Sequence, residues 1–516
     1  MFGSSRRLLP GDLSGEIENV REQTLTGVKW LTYSRGGLQI AAILSTVVLA
    51  RLIAPAEYGR AAVALAVFQI GGVIGYEGFG SAVVQRATID RRYLQATSFL
   101  SLSGGVLLSI VCAAGLYPLL AVLIDQRTAA LTLLICVSFV ASAASTVPKS
   151  VLRRRLDFRQ LAINEVFIAV TMIVVSIGLA VAGLNAEALV LAGVASSVVG
   201  AVLAFVVAPG AMPIPHREPL RDLLGFALSV QASGILYSVQ RFGAVPLVAA
   251  SLGAASAGFF QRAYALGMEY QGKVSSIMLT VAFPLYSRMG DLERARAMRR
   301  RVVRVHATVL FPFLLMVAAL APILVPLVYG ERWLPAADPT TILAVTGLAA
   351  AILTGTGPLV MAAGRPDALL RYHLVATAVL PVVLVVGASF GLIELCLAYG
   401  GYHVVNLIAA QYFLLGRTCG VPFRELFDDT HAALVAGAAL FGAAKGVSVA
   451  LESAGLPAAA NVLVAAVCGM VTYLAVLRLG FPESWRDFYL LVDRVTGIDR
   501  LVARGRRRVA EHGNTP

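Results

Sequence analysis

Charge is scarce in this sequence: only 14% of its 516 residues are charged, against 58% that are hydrophobic. An ordinary soluble domain is about 45–50% apolar and about 25% charged, so the shortage excludes that class. Long polar segments are also missing, because no gap between apolar windows exceeds roughly twenty residues, too few for an extramembrane domain of about 50 or more. Cysteine is sparse. The five, at 112, 136, 396, 419 and 468, lack Cys-x-x-Cys spacing and argue against a disulfide framework or a zinc site. No Walker A motif is present, which excludes nucleotide hydrolysis by a P-loop, and no cofactor is implied. The six histidines (216, 306, 373, 403, 431 and 512) are scattered and no Asp-x-Asp occurs, which disfavours an integral membrane enzyme built on a histidine and carboxylate cluster. The first 26 residues hold Asp12, Glu16, Glu18 and Glu22 in place of an apolar core, so a cleavable signal peptide is not expected.

What the chain does have is apolar windows of about 20 residues, the length that crosses a bilayer. They lie near 31–50, 61–82, 98–123, 129–148, 162–182, 187–208, 223–250, 264–285, 305–329, 340–362, 373–390, 395–415, 431–451 and 457–477. Thirty-three of the 42 Lys and Arg residues fall in every second gap or at the two ends, and only five in the gaps between. Basic residues are costly to translocate, so the rich gaps, such as Lys149 to Arg159 and Arg288 to Arg304, are expected in the cytoplasm with both termini. The poor gaps, around Asp125, Glu187, Asp338 and Glu452, are expected outside. The net charge of +13 then reads as topogenic charge facing anionic headgroups, and nucleic acid is not an expected partner. The pattern predicts an all-α polytopic membrane protein of about 14 transmembrane helices.

The first twelve windows read as two parallel copies of a six-helix unit. Pro148, Arg155 and Asp157 match Pro358, Arg365 and Asp367 at a constant offset of 210, and Leu52 to Gly59 after the first window resembles Ser251 to Gly258 after the seventh. An even number of spans keeps both copies in one orientation, giving two pseudo-symmetric bundles. The expected organisation is a segment 1–30, a bundle 31–208, a bundle 223–415, two additional helices within 431–477 and a basic tail 482–516. Residues 12–30 fit either an amphipathic surface helix or a disordered tail, and the tail reads as a surface-bound helix with a frayed end.

Several marks fall in order along residues 27–416: Leu49-Ala50-Arg51-Leu52 with Pro55 and Tyr58-Gly59; Glu77-Gly78-Phe79-Gly80 with Gln85-Arg86; Leu152-Arg153-Arg154 with Asp157; Gly258 with Arg262-Ala263-Tyr264; Phe283-Pro284; Gly330-Glu331-Arg332-Trp333; and Gly364-Arg365-Pro366-Asp367. In these the chain resembles the polysaccharide transporter branch of the multidrug/oligosaccharidyl-lipid/polysaccharide flippase superfamily. The resemblance implies translocation of an undecaprenyl-pyrophosphate-linked oligosaccharide by alternating access, for lipopolysaccharide, exopolysaccharide or capsule synthesis, with membrane lipids and a polysaccharide polymerase as partners. It also implies an Asn-x-Asp element in the seventh span, where this chain has Phe242-Gly243-Ala244, so coupling through a carboxylate there is in doubt.

Each mark also has a local reading. Pro55 and Gly59 turn the chain. Gly78, Gly80 and Pro284 are hinge or packing positions. The run Arg153 to Arg155 sets topology and grips lipid, or meets a pyrophosphate. Trp333 reads as an interfacial anchor.

Charges inside the apolar windows point to the site, because an ionised side chain near the bilayer centre costs about 2.5–3.5 kcal/mol on insertion scales and survives facing a cavity or a partner. Arg35, Arg241 and Lys273 are the candidates for a cationic cavity that would hold a pyrophosphate. Glu269, four residues before Lys273, is a competing ion-pair partner. Gln231, Tyr237, Gln240, Tyr264 and Tyr270 could bind sugar hydroxyls or tie helices together. A multidrug and toxin extrusion antiporter is the alternative, but a carrier of organic cations calls for carboxylates in its spans. Reporter fusions test the topology: alkaline phosphatase joined after Glu187 or Glu452 should be active, and joined after Arg294 or at either end inactive. Activity after Arg294 would invert the scheme.

Overall fold

In a computed structural model, residues 37–86, 88–208, 210–275 and 292–496 are described, with side chains omitted at 226–231, 233 and 491–496. Arg35, Pro284, the segment 1–30 and the basic end of the tail lie outside the described residues; Gln231 is placed only as backbone. The described chain is helical throughout and contains no strand. Twelve of its helices are long and apolar enough to cross a membrane, and Gly37–Leu52 is a shorter apolar one.

In order, these are α1 (Gly37–Leu52), α2 (Pro55–Gln85), α3 (Arg91–Leu123), α4 (Gln126–Arg154), α5 (Phe158–Val181) and α6 (Ala186–Val207). Then come α7 (Arg217–Phe242) and α8 (244–275). The remainder are α9 (Leu292–Tyr329), α10 (Glu331–Ala362), α11 (Pro366–Ala388), α12 (Leu392–Cys419), α13 (Phe423–Ser453), α14 (Ala458–Gly480) and α15 (Pro482–Thr496). Asp90, Asp125 and Asp157 start α3, α4 and α5 by accepting the backbone N–H of Tyr93, Thr128 and Gln160 at 2.8, 2.7 and 3.2 Å. Such caps satisfy N–H groups that the first turn leaves open.

The helix continues through Gly243, with the Gly243 and Leu247 N–H groups donating to the carbonyls of Val239 and Gly243 at 2.8 and 3.4 Å. The windows 223–250 and 264–285 are separated by a kink at Gly253, where two helices meet and whose φ of 85° only glycine adopts without strain.

Contacts divide the chain into two compact units, one of residues up to Leu52 with Val67–Gln231, the other of Ile53–Ala66 with residues from Ala232 on. In the first unit, α2 and α3 approach at Gly75 and Gly104, where a Cβ on Gly104 would lie 2.0 Å from the Gly75 carbonyl oxygen. Small residues let helices meet this closely in lipid, where no hydrophobic force draws them together. Gly80 is a packing position, since its missing Cβ would meet Ser150 Oγ at 2.7 Å, and Gly78 directly follows a π-helical turn, Val73–Glu77. Arg154 donates to the Val83 carbonyl at 3.1 Å and to that of Arg86, tying the end of α4 to the open carbonyls at the end of α2.

In the second unit α9 and α10 are central, with 67% of their apolar windows buried, whereas α11 keeps 17% buried and exposes valines along its length. The helices α13 and α14 pack on α9, and the Tyr473 hydroxyl donates to the Thr308 carbonyl at 2.8 Å. On the polar side, the buried Asp429 carboxylate meets Arg300 at 3.2 Å and Arg304 at 3.7 Å. Arg304 also reaches Glu483 and Asp487 of α15, while Trp485 and Phe488 pack behind it, so α15 is fastened to the ends of α9 and α13. Trp333 corrects the sequence reading: it is fully buried among Tyr58, Phe259 and Tyr329, because the 3-10 turn Glu331–Ala336 folds it inward, away from an interface.

The start of α2 belongs to this second unit through a reciprocal contact. A Cβ on Gly59 would lie 1.8 Å from the Ala254 oxygen, and one on Gly258 would lie 2.0 Å from the Pro55 oxygen. Both pairs, 55 with 254 and 59 with 258, are 199 positions apart, so each copy of the repeat presents its glycine to the other's carbonyl. Overpacking commonly costs about 1–3 kcal/mol and should cost more against backbone. Gly258→Val and Gly59→Val are expected to sharply lower the folded fraction recovered from membranes, judged by size-exclusion profile and thermal unfolding. Gly178→Ala, with open space around it, should behave as wild type.

Candidate functional site

A pocket of about 420 Å³ opens within the second unit, between α7, α8, α10, α11 and α12. On α7 the spacing Tyr237, Gln240, Arg241 places three polar side chains on one helical face. Opposite them, α8 leaves the α-helical pitch in the π turn Ala265–Glu269, which rotates the following turn against the preceding one, so that Tyr264, Gln271 and Ser275 all reach the pocket. A second π turn, Ala410–Gly416, begins on α12 where Ala410 and Leu414 close one end. The floor is a break in α10 at residues 353–355, where Gly355 is left-handed at φ 84° before a short helix Thr356–Ala362. Irregular backbone at membrane depth is tolerated where it lines a cavity or is buried in protein.

Among the described residues, Arg241 is the only formally charged one in the pocket wall. No ion pair of Arg241 occurs among the described residues; the Tyr237 hydroxyl hydrogen-bonds it, the Tyr264 hydroxyl and the ring of Phe242, 5.3 Å from its guanidinium carbon, lie beside it, and the Glu269 carboxylate acts on it electrostatically. Lys273 is placed differently. Its ammonium is 3.0 Å from Glu269, one turn earlier on α8, and 5.1 Å from the Tyr270 ring, and neither Lys273 nor Tyr270 lines the pocket. Gln240 lines the pocket but spends its amide on structure, donating to Thr377 Oγ1 at 2.7 Å and to the His373 carbonyl at 3.2 Å, which ties α7 to α11. Of the residues singled out in the sequence, the structure thus brings Tyr237, Gln240, Arg241 and Tyr264 together.

It adds others. Tyr372 and His373 come from α11, and Tyr399, His403 and Asn406 from α12. The Tyr372 hydroxyl donates to Asn406 Oδ1 at 2.6 Å, leaving the Asn406 amide N–H groups for a ligand. His403 packs edge-on to Tyr399, centroids 4.6 Å apart, and its buried Nε2 has no hydrogen-bond partner. Within the wall, Ser275 Oγ lies 2.8 Å from Gln271 Nε2 and 3.1 Å from Thr354 Oγ1, and 3.0 Å from Nε2 of His306 behind it. His306 Nδ1 faces the Ala351 carbonyl at 3.2 Å and so carries a proton. Three of the six histidines therefore gather at or beside one pocket, although they are scattered in sequence. The available signal was a polar stripe on an otherwise apolar helix, Tyr399, Tyr402, His403 and Asn406 at helical spacing.

A family profile described as "Polysaccharide biosynthesis protein" matches residues 48–338. The chain is 24% identical over 436 residues to the lipopolysaccharide biosynthesis protein WzxC of Escherichia coli (strain K12), covering 79% of this chain and 84% of that one. It is 23% identical over 488 residues to the teichuronic acid biosynthesis protein TuaB of Bacillus subtilis (strain 168), covering 91% and 98%. Among solved structures, the lipid II flippase MurJ in an inward closed conformation superposes with a TM-score of 0.67 at 11% identity, covering 88% of this chain and 99% of that one, a likeness of fold.

The Lys273–Glu269 geometry yields a stability test. Lys273→Met should lower the thermal unfolding midpoint in detergent, and adding Glu269→Gln should recover it, with a coupling of roughly 0.3–1 kcal/mol for a half-exposed pair. Additive effects of the two changes would show that the pair is not closed.

Proposed function

The chain belongs to the polysaccharide biosynthesis protein family, and on that premise we propose that it is a flippase that carries a lipid-linked oligosaccharide across the bacterial cytoplasmic membrane, with an undecaprenyl pyrophosphate carrier. The observation that carries this reading is Arg241: a guanidinium within membrane-spanning helices, at the wall of a polar pocket that has no carboxylate in its lining among the described residues. A positive group held there favours an anionic group of a lipid-linked glycan and repels an organic cation, which weighs against a multidrug and toxin extrusion antiporter. Tyrosines, Asn406 and His403 around it offer hydroxyl partners and flat faces to sugars.

The protein does no covalent chemistry in this scheme. It exposes the pocket alternately to either side of the membrane while the polyprenyl tail stays in lipid. Both termini are cytoplasmic, and a polysaccharide polymerase receives the product. The driving force is a gradient, the membrane potential or removal of product, since a lipid that binds both states equally would shift nothing.

Arg241→Ala tests the reading in cells. A charge-assisted hydrogen bond is worth about 1.5–3 kcal/mol, so surface polysaccharide should fall by about tenfold or more. The amount of protein in the membrane should be unchanged, and lipid-linked oligosaccharide should accumulate on the inner leaflet. Normal surface polysaccharide at equal protein level would remove the pocket from transport.

A further inference from the structure

The pocket's charge and walls say more about the group it holds. Among the described residues the lining carries one formal positive charge, that of Arg241, and every other lining residue is neutral or a histidine. The pyrophosphate of a lipid-linked glycan is esterified at both ends and carries one negative charge on each of its two phosphates, more than one guanidinium balances. A carboxylate carries one charge and pairs with arginine one to one through two parallel hydrogen bonds. Three tyrosines, Tyr237, Tyr264 and Tyr372, supply aromatic surface against which the C–H face of a sugar ring can lie, with Tyr399 buried behind them. The Asn406 amide and the unpartnered His403 Nε2 are free to meet ring hydroxyls. At 420 Å³ the space is at the lower end of the about 300–1,000 Å³ of ligand pockets, room for one sugar and its substituents and not for a whole oligosaccharide.

We propose that this pocket is a subsite for a single acidic sugar of the transported glycan, a hexuronic acid or a sugar bearing a carboxylic acid substituent, with the carboxylate on Arg241 and the ring between the tyrosines. The proposal rests on the flippase reading and specifies its substrate: the pocket of the second unit selects the glycan by its acid, and the lipid pyrophosphate is held elsewhere. A neutral sugar in the same place would leave the guanidinium with the Tyr237 hydroxyl and no anion bonded to it, and a site built around a charged partner rejects the analogue lacking it.

The test uses the full-length protein in lipid nanodiscs and two probes, methyl β-D-glucuronide and methyl β-D-glucoside, titrated by saturation-transfer difference NMR. The glucuronide is expected to bind at least about tenfold more tightly, a difference of about 1.4 kcal/mol. Arg241→Gln should bring the glucuronide down to the level of the glucoside and leave the glucoside unchanged. Arg241→Lys, which keeps the charge without the planar fork, should retain part of the preference and serves if the glutamine variant does not fold. Sodium pyrophosphate at matched ionic strength should not displace the glucuronide.

Equal affinity for the two glycosides would overturn the proposal, as would displacement of the glucuronide by pyrophosphate, which would make the pocket a phosphate site. Either result combined with lost export in Arg241→Ala cells leaves the flippase standing and removes the acidic sugar. Intact export in those cells sinks the transport role whatever the NMR shows.

Discussion

A guanidinium fixed among apolar helices must have water or an anion within reach, and the arrangement of the second unit follows from meeting that need at Arg241. Lipid offers no hydrogen bonds, so every backbone group away from a cavity has to be closed within its helix. The departures from helical geometry around Arg241 fall where that constraint is lifted. The break at Gly355 forms the pocket floor, and the π turns of α8 and α12 each run into its wall. A polar hollow makes irregular backbone affordable, and the irregular backbone turns polar side chains into the hollow. Each depends on the other.

The polar residues of the second unit divide by what they face. Asp429 with Arg300 and Arg304, Lys273 with Glu269, and Arg262 over the Tyr58 ring at 4.1 Å are charges held by other parts of the protein. Ser275, Gln271 and Thr354 in the wall join His306 behind it in a network, and such networks rigidify the structure around them. Arg241, His403 and Asn406 are among the polar groups that line the pocket. Stability and binding are thereby assigned to different residues within one turn of each other: Gln240 fastens α7 to α11 while its neighbour Arg241 faces the pocket.

The architecture was legible in the sequence because its two signals are large, apolar windows of bilayer length and basic residues confined to alternate gaps. Finer features depend on backbone events that composition does not register. Nothing in the apolar run 234–275 singles out Gly253 from its other glycines as the place where the helix kinks, and π turns leave no compositional trace. Arg241 was legible because a charge in an apolar window has few explanations, and the ion pair of Lys273 because Glu269 sits one turn away on the same helix. His373, His403 and Asn406 were not, since neutral polar residues on a span serve equally as helix ties. What makes them a site is that α7 and α12, about 160 positions apart in sequence, come within reach of one ligand. Trp333 misled for a related reason: beside Arg332 it has the local character of a membrane anchor, and only the 3-10 turn that carries it decides that it faces inward.

The two copies of the repeat have kept different things. Thr146 and Thr356 each begin a short helix just after a break, at the same offset of 210 that aligns Pro148 with Pro358 and Asp157 with Asp367. The glycines at 59 and 258 make equivalent contacts as well. These residues answer to backbone geometry, which both copies need in order to turn and pack. Applied to the pocket, the same offset places Tyr372 and His373 opposite Ala162 and Ile163, one buried in the first unit and the other an exposed apolar side chain. Residues that answer to a ligand are needed once per binding event, so one copy carries them and the other reverts to packing and lipid.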